Sequence, residues 1–336
     1  MTESKKRVDW LDIAKGLAML IVIAGHTTNS SIVFNYIYSF HLPFFFILSG
    51  YTIKKISNKD LPGSIVKDYK RLVQPVLICL LLLTIKRVIT GISILDAATN
   101  VLYAFLWGSA SNYVMILGNE LSIPSIGILW FPISVFWGKQ FYKIFDKVTK
   151  YRLLILLLIS LLGMLLGSII WMPHCLDLVP VILLFFEYGR FLREKVDIKS
   201  VKWKITCSMS LILWIIFVGP LDIHLHLNAR LYPYLYLSLI IALMGTNVFI
   251  YISQLISKVK HHKVLTFIGK NSLLLLFIHG FDTYLINIWN INVSSIGTAN
   301  NILSMLLRMI IDVTLLWLFV YVKTMITKLK LKTSDS

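Results

Sequence analysis

With 57% hydrophobic and 15% charged residues over 336 positions and a mean hydropathy of +0.78, the chain is too apolar for a soluble domain and too regularly interrupted for one buried core. A net charge of +17 would suggest nucleic acid in a soluble protein, but here the cations cluster between apolar runs, so membrane lipids are the expected partner and nucleic acid is not. Three cysteines without CxxC or Cys/His spacing point to neither a zinc site nor a disulfide framework.

Apolar runs near membrane length predict an all-α, polytopic protein of about ten spans. In chain order they are Leu11 to Thr27, Ile32 to Ile53, Leu72 to Ile89, Ile126 to Tyr142, Leu153 to Met172, Leu178 to Phe191, Ile205 to Leu221, Tyr234 to Ile256, Val264 to Trp289 and Ile302 to Val322. The first run is long, lacks a small-residue cleavage site and leads straight into a second, so it reads as a retained span. If the N terminus is cytoplasmic, 29 of the 33 Lys and Arg fall on the inner side and only Lys86, Arg87, Arg230 and Arg308 face out. One missed span would invert every later loop, so the asymmetry predicts both termini in the cytoplasm and an even number of helices. The expected organisation is one membrane domain over residues 1–336, with a core of about 8–326 and a short basic tail at 327–336. The expected place is a cell membrane, bacterial and cytoplasmic, and a homodimer is left open. The outer segment Thr90 to Ser125 carries Tyr103, Trp107 and Tyr113 among small and polar residues, which fits an interfacial helix, a re-entrant piece or a plain connector.

Titratable groups within apolar spans cost several kcal/mol, roughly 2.5–3.5 at the helix centre, so they mark functional candidates. His26 follows Lys15 by eleven positions on the first span, about 16 Å along a helix. Such a pair can hold an anionic group at the inner rim while an imidazole moves protons deeper in, or it can be a packed histidine with a snorkelling lysine. His41 precedes Pro43, which is expected to kink the second helix, with Ser49, Gly50 and Tyr51 beyond it. Lys67, Lys70 and Arg71 enter the third span as a cluster suited to phosphates or anionic headgroups, or to topological anchoring. Trp130, Phe131 and Pro132 form an aromatic patch, and His279 and Asp282 share one helix face. Glu187 with Arg190, and Arg308 with Asp312, read as internal ion pairs.

These residues together resemble the acyltransferase 3 family of membrane O-acyltransferases, in its fucose 4-O-acetylase-like branch. The likeness rests on Asp12, Lys15 and His26; on Phe40-His41-Leu42-Pro43-Phe44-Phe45-Phe46-Ile47-Leu48-Ser49-Gly50-Tyr51; on Leu129-Trp130-Phe131; and on Gly269-Lys270-Asn271-Ser272-Leu273 through His279. A departure is that the family's Arg-x-x-Arg stands here as Lys67-Asp68-Tyr69-Lys70 or Asp68-Tyr69-Lys70-Arg71, and a lysine lacks the bidentate phosphate geometry of arginine. The resemblance implies an acetyl-CoA-dependent O-acetyltransferase acting on a carbohydrate hydroxyl, with no metal. It implies His26, Asp12 and His41 as catalytic residues, and Lys15, Lys67, Lys70 and Arg71 at the donor. Trp130, Ser49, Tyr51, His279 and Asp282 would meet the substrate. The alternative is a transporter or exporter of a small polar solute on the same fold.

The charge asymmetry predicts that a cysteine introduced at Asn58 stays shielded from impermeant thiol reagents in intact cells, whereas one at Asn119 is labelled, once Cys79, Cys175 and Cys207 have been replaced. Labelling at 58 and not at 119 inverts the topology.

Overall fold

The computed structural model describes residues 9–28, 30–54, 57, 59–148, 150–281 and 300–334, so Asp282 lies outside the described residues. Its helices in chain order are α1 (Asp9–Gly25), α2 (Ser31–Tyr38), α3 (His41–Thr52), α4 (Leu61–Ile89), α5 (Ile94–Trp107), α6 (Trp130–Phe145), α7 (Arg152–Gly167), α8 (Val179–Lys195), α9 (Val201–Val218), α10 (Tyr236–Ile256), α11 (Lys263–Lys270), α12 (Ser272–Phe281) and α13 (Asn300–Ser334). One hairpin, β1 (Tyr113–Ile116) with β2 (Asn119–Ser122), interrupts the helical series.

Among the described residues, five helical stretches are long and apolar enough to cross a membrane: Ser31–Thr52, Leu61–Ile89, Val201–Val218, Tyr236–Ile256 and Ile302–Leu329. The bent pair α11 and α12 makes a sixth if it is one broken span. The other expected spans correspond to helices that are individually short. α1 and α8 have 17 residues and α6 and α7 have 16, at the lower limit for crossing about 30 Å of hydrocarbon. In α8 the last turns carry Arg190, Arg193 and Lys195, which shortens the apolar length further.

The chain forms two compact units, one of Met1–Phe34 with Ile252–Ser336 and the other of Asn35–Tyr251. In the first unit, α1 crosses α11 at backbone contact. A Cβ on Gly269 would overlap the Asp12 carbonyl oxygen, and one on Gly16 would overlap that of Leu265. Only glycine permits this approach, which gives the late Gly-x-x-Ser-Leu pattern a packing reason. α11 then stops at Asn271, whose side-chain amide donates to the Phe267 carbonyl at 2.9 Å, and α12 leaves at 75° to α11.

The second unit has its own glycine crossing. A Cβ on Gly50 of α3 would overlap the Phe186 carbonyl of α8, and one on Gly189 would overlap that of Ile47. The aromatic run before Gly50 fills the surrounding core. Phe40 stacks on Phe249 at 4.5 Å and meets Trp214 edge-on at 5.3 Å, while Phe46 packs on Phe131 at 5.2 Å and Phe186 at 6.2 Å. Pro43 produces no mid-helix kink. The helix breaks at Ser39 and Phe40 and restarts at His41, which leaves Pro43 in the first turn of α3, where its missing N–H costs no helical hydrogen bond.

The segment 90–125 folds as the amphipathic α5, capped by Ser93 accepting from the Asp96 N–H at 3.1 Å and closed by left-handed Gly108, followed by the hairpin. The hairpin turns at Leu117 and Gly118, both at positive φ, the backbone hand a two-residue turn requires. Its core of Val114, Ile123 and Trp171 is tied down by the Trp171 N–H donating to Met115 at 2.8 Å. Beside it Arg230, lying 3.8 Å over the Trp171 ring, makes a bidentate pair with Asp177 at 2.7 and 3.1 Å, both side chains 2% exposed. Two fully desolvated charges persist there because both carboxylate oxygens and the ring face are engaged at once.

Gly50→Ala and Gly269→Ala are each expected to lower the thermal midpoint in detergent, with a cost of about 1–3 kcal/mol from overpacking. Gly63→Ala, which meets open space in the first turns of α4, should hold or raise it.

Candidate active site

The first unit gathers three residues from distant parts of the sequence. His26 follows the last residue of α1, its N–H still donating to Val22 at 3.1 Å, and its side chain is exposed. Its ring lies 5.5 Å from that of His279, which is fully buried on α12. His279 Nδ1 donates to Asp312 Oδ2 of α13 at 2.8 Å, and Asp312 is also fully buried. A carboxylate can only accept, so His279 Nδ1 is the donor in this contact and the ring orientation is set by it. A buried carboxylate is tolerable here because an N–H donor faces it directly. The result is an accessible imidazole backed by a buried imidazole and carboxylate.

Asp12 and Lys15 lie at the other end of α1. Asp12 is buried where α1 meets α11, and Lys15 is half-buried one turn on. Fourteen residues separate Asp12 from His26, about 21 Å of helix, so the structure does not bring Asp12 to the imidazole.

The second unit holds the other sequence candidates. His41 opens α3, 4% exposed, with Nδ1 donating to the Ile37 carbonyl at 2.8 Å; this again leaves Nε2 as the acceptor. Its ring meets Tyr38 edge-on at 4.7 Å, and Tyr38 in turn meets His226 at 5.1 Å. Trp130 is buried at the start of α6 with its ring against Phe131. Ser49 and Tyr51 are half-buried on α3. Their backbone carbonyls are engaged by the Thr52 hydroxyl at 3.0 Å and by Arg193 at 3.1 Å. Lys67, Lys70 and Arg71 are exposed on α4 around buried Asp68, which takes Lys139 and, at 2.6 Å, Lys143 of α6. The expected pair of Glu187 with Arg190 is present, and Glu187 also takes Arg152 at 2.9 Å and the Tyr142 hydroxyl at 2.9 Å.

Sequence reasoning paired Asp312 with Arg308 and missed its contact with His279. An acid within an otherwise apolar helix was the available signal, but its histidine lies 33 residues away. It also missed Tyr38 and His226, which only the fold places beside His41.

Residues 8–324 match the model of the acyltransferase domain of the acyltransferase 3 family. The chain belongs to this family. Comparison with curated proteins and with solved structures gives no match. This family member is a multi-pass membrane acyltransferase, and its family match runs through both compact units and both imidazole clusters.

Outside the spans, burial pushes His226 down from 6.5 to about 4, and the nearby His224 adds repulsion. Between those values the unfolded chain binds the extra proton, so stability rises with pH from about 4 to 6.5 and is level above that range as far as this group is concerned. Thermal midpoints recorded between pH 4.5 and 7 should fall on acidification, and His226→Gln should make that fall shallower.

Proposed function

We propose that this acyltransferase is an O-acetyltransferase that moves acetyl from cytosolic acetyl-CoA to a hydroxyl of a cell-surface or lipid-linked carbohydrate. The observation that carries the reading is the exposed imidazole of His26 set against the buried His279 and Asp312 pair. His26 takes the acceptor hydroxyl's proton as its oxygen attacks the thioester carbonyl; the C–S bond breaks, and the proton passes to the departing thiolate, giving ester and free CoA thiol. In a variant of the same chemistry His26 carries the acetyl group transiently on nitrogen before the hydroxyl takes it. His279 and Asp312 act through His26 as positioning residues, the buried and hydrogen-bonded pair holding a ring against the His26 imidazole at 5.5 Å.

The finer branch assignment, fucose 4-O-acetylase-like, is supported by the string from Phe40 to Tyr51, although most of its aromatic members are core packing in this fold. Lys15, Lys67, Lys70 and Arg71 are proposed at the donor, with Arg71 the one able to grip phosphate bidentately. His41 is proposed to orient substrate, its Nε2 left as an acceptor by the Ile37 contact. Asp12, proposed as catalytic from the opening motif, acts on this geometry through the α1 and α11 crossing rather than by touching His26. Ten spans with both termini in the cytoplasm complete the reading, in a bacterial cytoplasmic membrane.

One observation favours a second reading. The 75° break between α11 and α12 is the kind of discontinuous helix that lines solute sites in transporters. Solute uptake into proteoliposomes, insensitive to His26→Ala and unaccompanied by acetyl transfer, would select it.

In purified protein, His26→Ala should lower kcat for acetyl transfer roughly 10²- to 10⁴-fold with the thermal midpoint held, as expected for loss of a general base. Asp312→Asn should lower kcat by about tenfold or more with KM for acetyl-CoA held, because the contact that fixes His279 against the His26 ring is weakened. Near wild-type transfer by His26→Ala overturns the assignment.

A further inference from the structure

At the basic end of the second unit, where the C-terminus of α3, the start of α4 and the C-terminal halves of α6 and α8 converge, lies a cavity of about 110 Å³. Five cations line it, Lys54, Lys143, Lys147, Arg190 and Arg193, against one carboxylate, Asp146. That carboxylate is committed to Arg152 at 3.3 Å. Of the cations, Lys143 is held by Asp68, Arg190 by Glu187 and, at 3.8 Å, Glu194, and Arg193 by Glu194 at 2.9 Å and by the carbonyls of Tyr51 and Ile53 at the end of α3. These contacts fix three cationic heads in place on the cavity wall. Lys54 and Lys147 make no salt bridge among the described residues, and both are exposed at the mouth.

Positive charge that served only to orient the chain would have no reason to converge on a concavity, since topological anchoring needs cations near the span ends and no particular arrangement. Held guanidinium groups with exposed ammonium groups at the rim are instead the chemistry of phosphate recognition.

We infer that this cavity is a phosphate-ester site that takes one phosphoryl or diphosphate group of a ligand lying along the membrane face. Two sources share that chemistry, the phosphates of the acyl-CoA donor and the headgroup of an anionic lipid. The first source rests on the proposed acetyl-CoA reaction, and the second stands without it. None of the five cations belongs to the donor set expected from the sequence, so the site is an addition to Lys15, Lys67, Lys70 and Arg71.

The test uses the full-length protein in nanodiscs of neutral phosphatidylcholine or of phosphatidylcholine with phosphatidylglycerol. It compares wild type, the double variant Lys54→Gln with Lys147→Gln, and a control double variant Lys202→Gln with Lys204→Gln that removes two exposed charges elsewhere in the same unit. Unliganded thermal midpoints establish folding. In neutral discs, CoA and pyrophosphate should bind the cavity variant at least about tenfold more weakly than wild type or control, the loss of two charge-assisted contacts. Unchanged CoA binding, with loss in the cavity variant alone of the stabilisation given by phosphatidylglycerol, identifies the lipid as the source and supports the site. If CoA, pyrophosphate and phosphatidylglycerol all act equally on the three proteins, the site does not exist. Should wild type neither bind CoA nor transfer acetyl, the proposed reaction fails while the phosphatidylglycerol arm still decides the cavity. Should the cavity variant transfer acetyl with unchanged KM for acetyl-CoA and respond to the lipid as wild type does, the cavity fails and the reaction stands.

Discussion

The backbone contact between α1 and α11 is the constraint on which the candidate active site depends. Gly269 against the Asp12 carbonyl, with Gly16 against Leu265, lets two helices touch without side chains between them. In hydrocarbon there is no hydrophobic gain from pairing apolar helices, so close van der Waals approach and dipolar contacts have to supply the association. Once α1 is fixed there, the position of His26 follows from helix rise alone. The turn at Asn271 then redirects the chain so that α12 presents His279 to that imidazole, seven residues after Ser272 begins the new helix. A single methyl group at position 269 would therefore act on the imidazole pair about 20 Å away through geometry, with no contact to either ring.

The same device recurs in the second unit with a different load. Gly50 and Gly189 lock α3 to α8, and the aromatic residues that precede Gly50 build a core around the crossing. That division of labour changes how the motif from Phe40 to Tyr51 is read. Its length and composition serve packing, and its chemical content narrows to His41, held by Ile37 and in ring contact with Tyr38. The charged groups are handled just as locally. Asp177 with Arg230, Glu187 with Arg152 and Arg190, and Asp68 with Lys139 and Lys143 each bring opposite charges together within a few ångströms. Burying one partner alone would cost several kcal/mol, so each pair persists only because the other member is in place.

What the sequence could reveal divides along the same line. Hydropathy and charge asymmetry carry the class, because a bilayer selects length and composition directly and leaves a signal at every residue. They carry span boundaries less well. Helix termini respond to local hydrogen bonding, which is why the run from Ile32 to Ile53 is two helices and Pro43 starts a turn rather than bending one. The hairpin between α5 and α6 left only a faint trace, since four-residue strands are too short for alternation to register. His26, His41 and His279 were visible as titratable groups in apolar runs. Asp312 was visible as an acid and paired with Arg308, because helical spacing offers only neighbours three or four positions away, and the fold adds His279, a partner 33 positions away.

Both compact units thus present an imidazole whose proton is assigned to Nδ1 by a fixed acceptor, a carboxylate for His279 and a backbone carbonyl for His41. The two acceptors are not equivalent. A carboxylate can stabilise a full positive charge on the ring it holds, while a carbonyl dipole mainly orients it. A group that must pass through a protonated state during turnover gains from the first arrangement, and one that must stay neutral and accept a hydrogen bond gains from the second. In the proposed reaction the proton goes to His26, whose ring faces the carboxylate-held ring of His279 at 5.5 Å, and His41 offers its remaining ring nitrogen to a substrate donor.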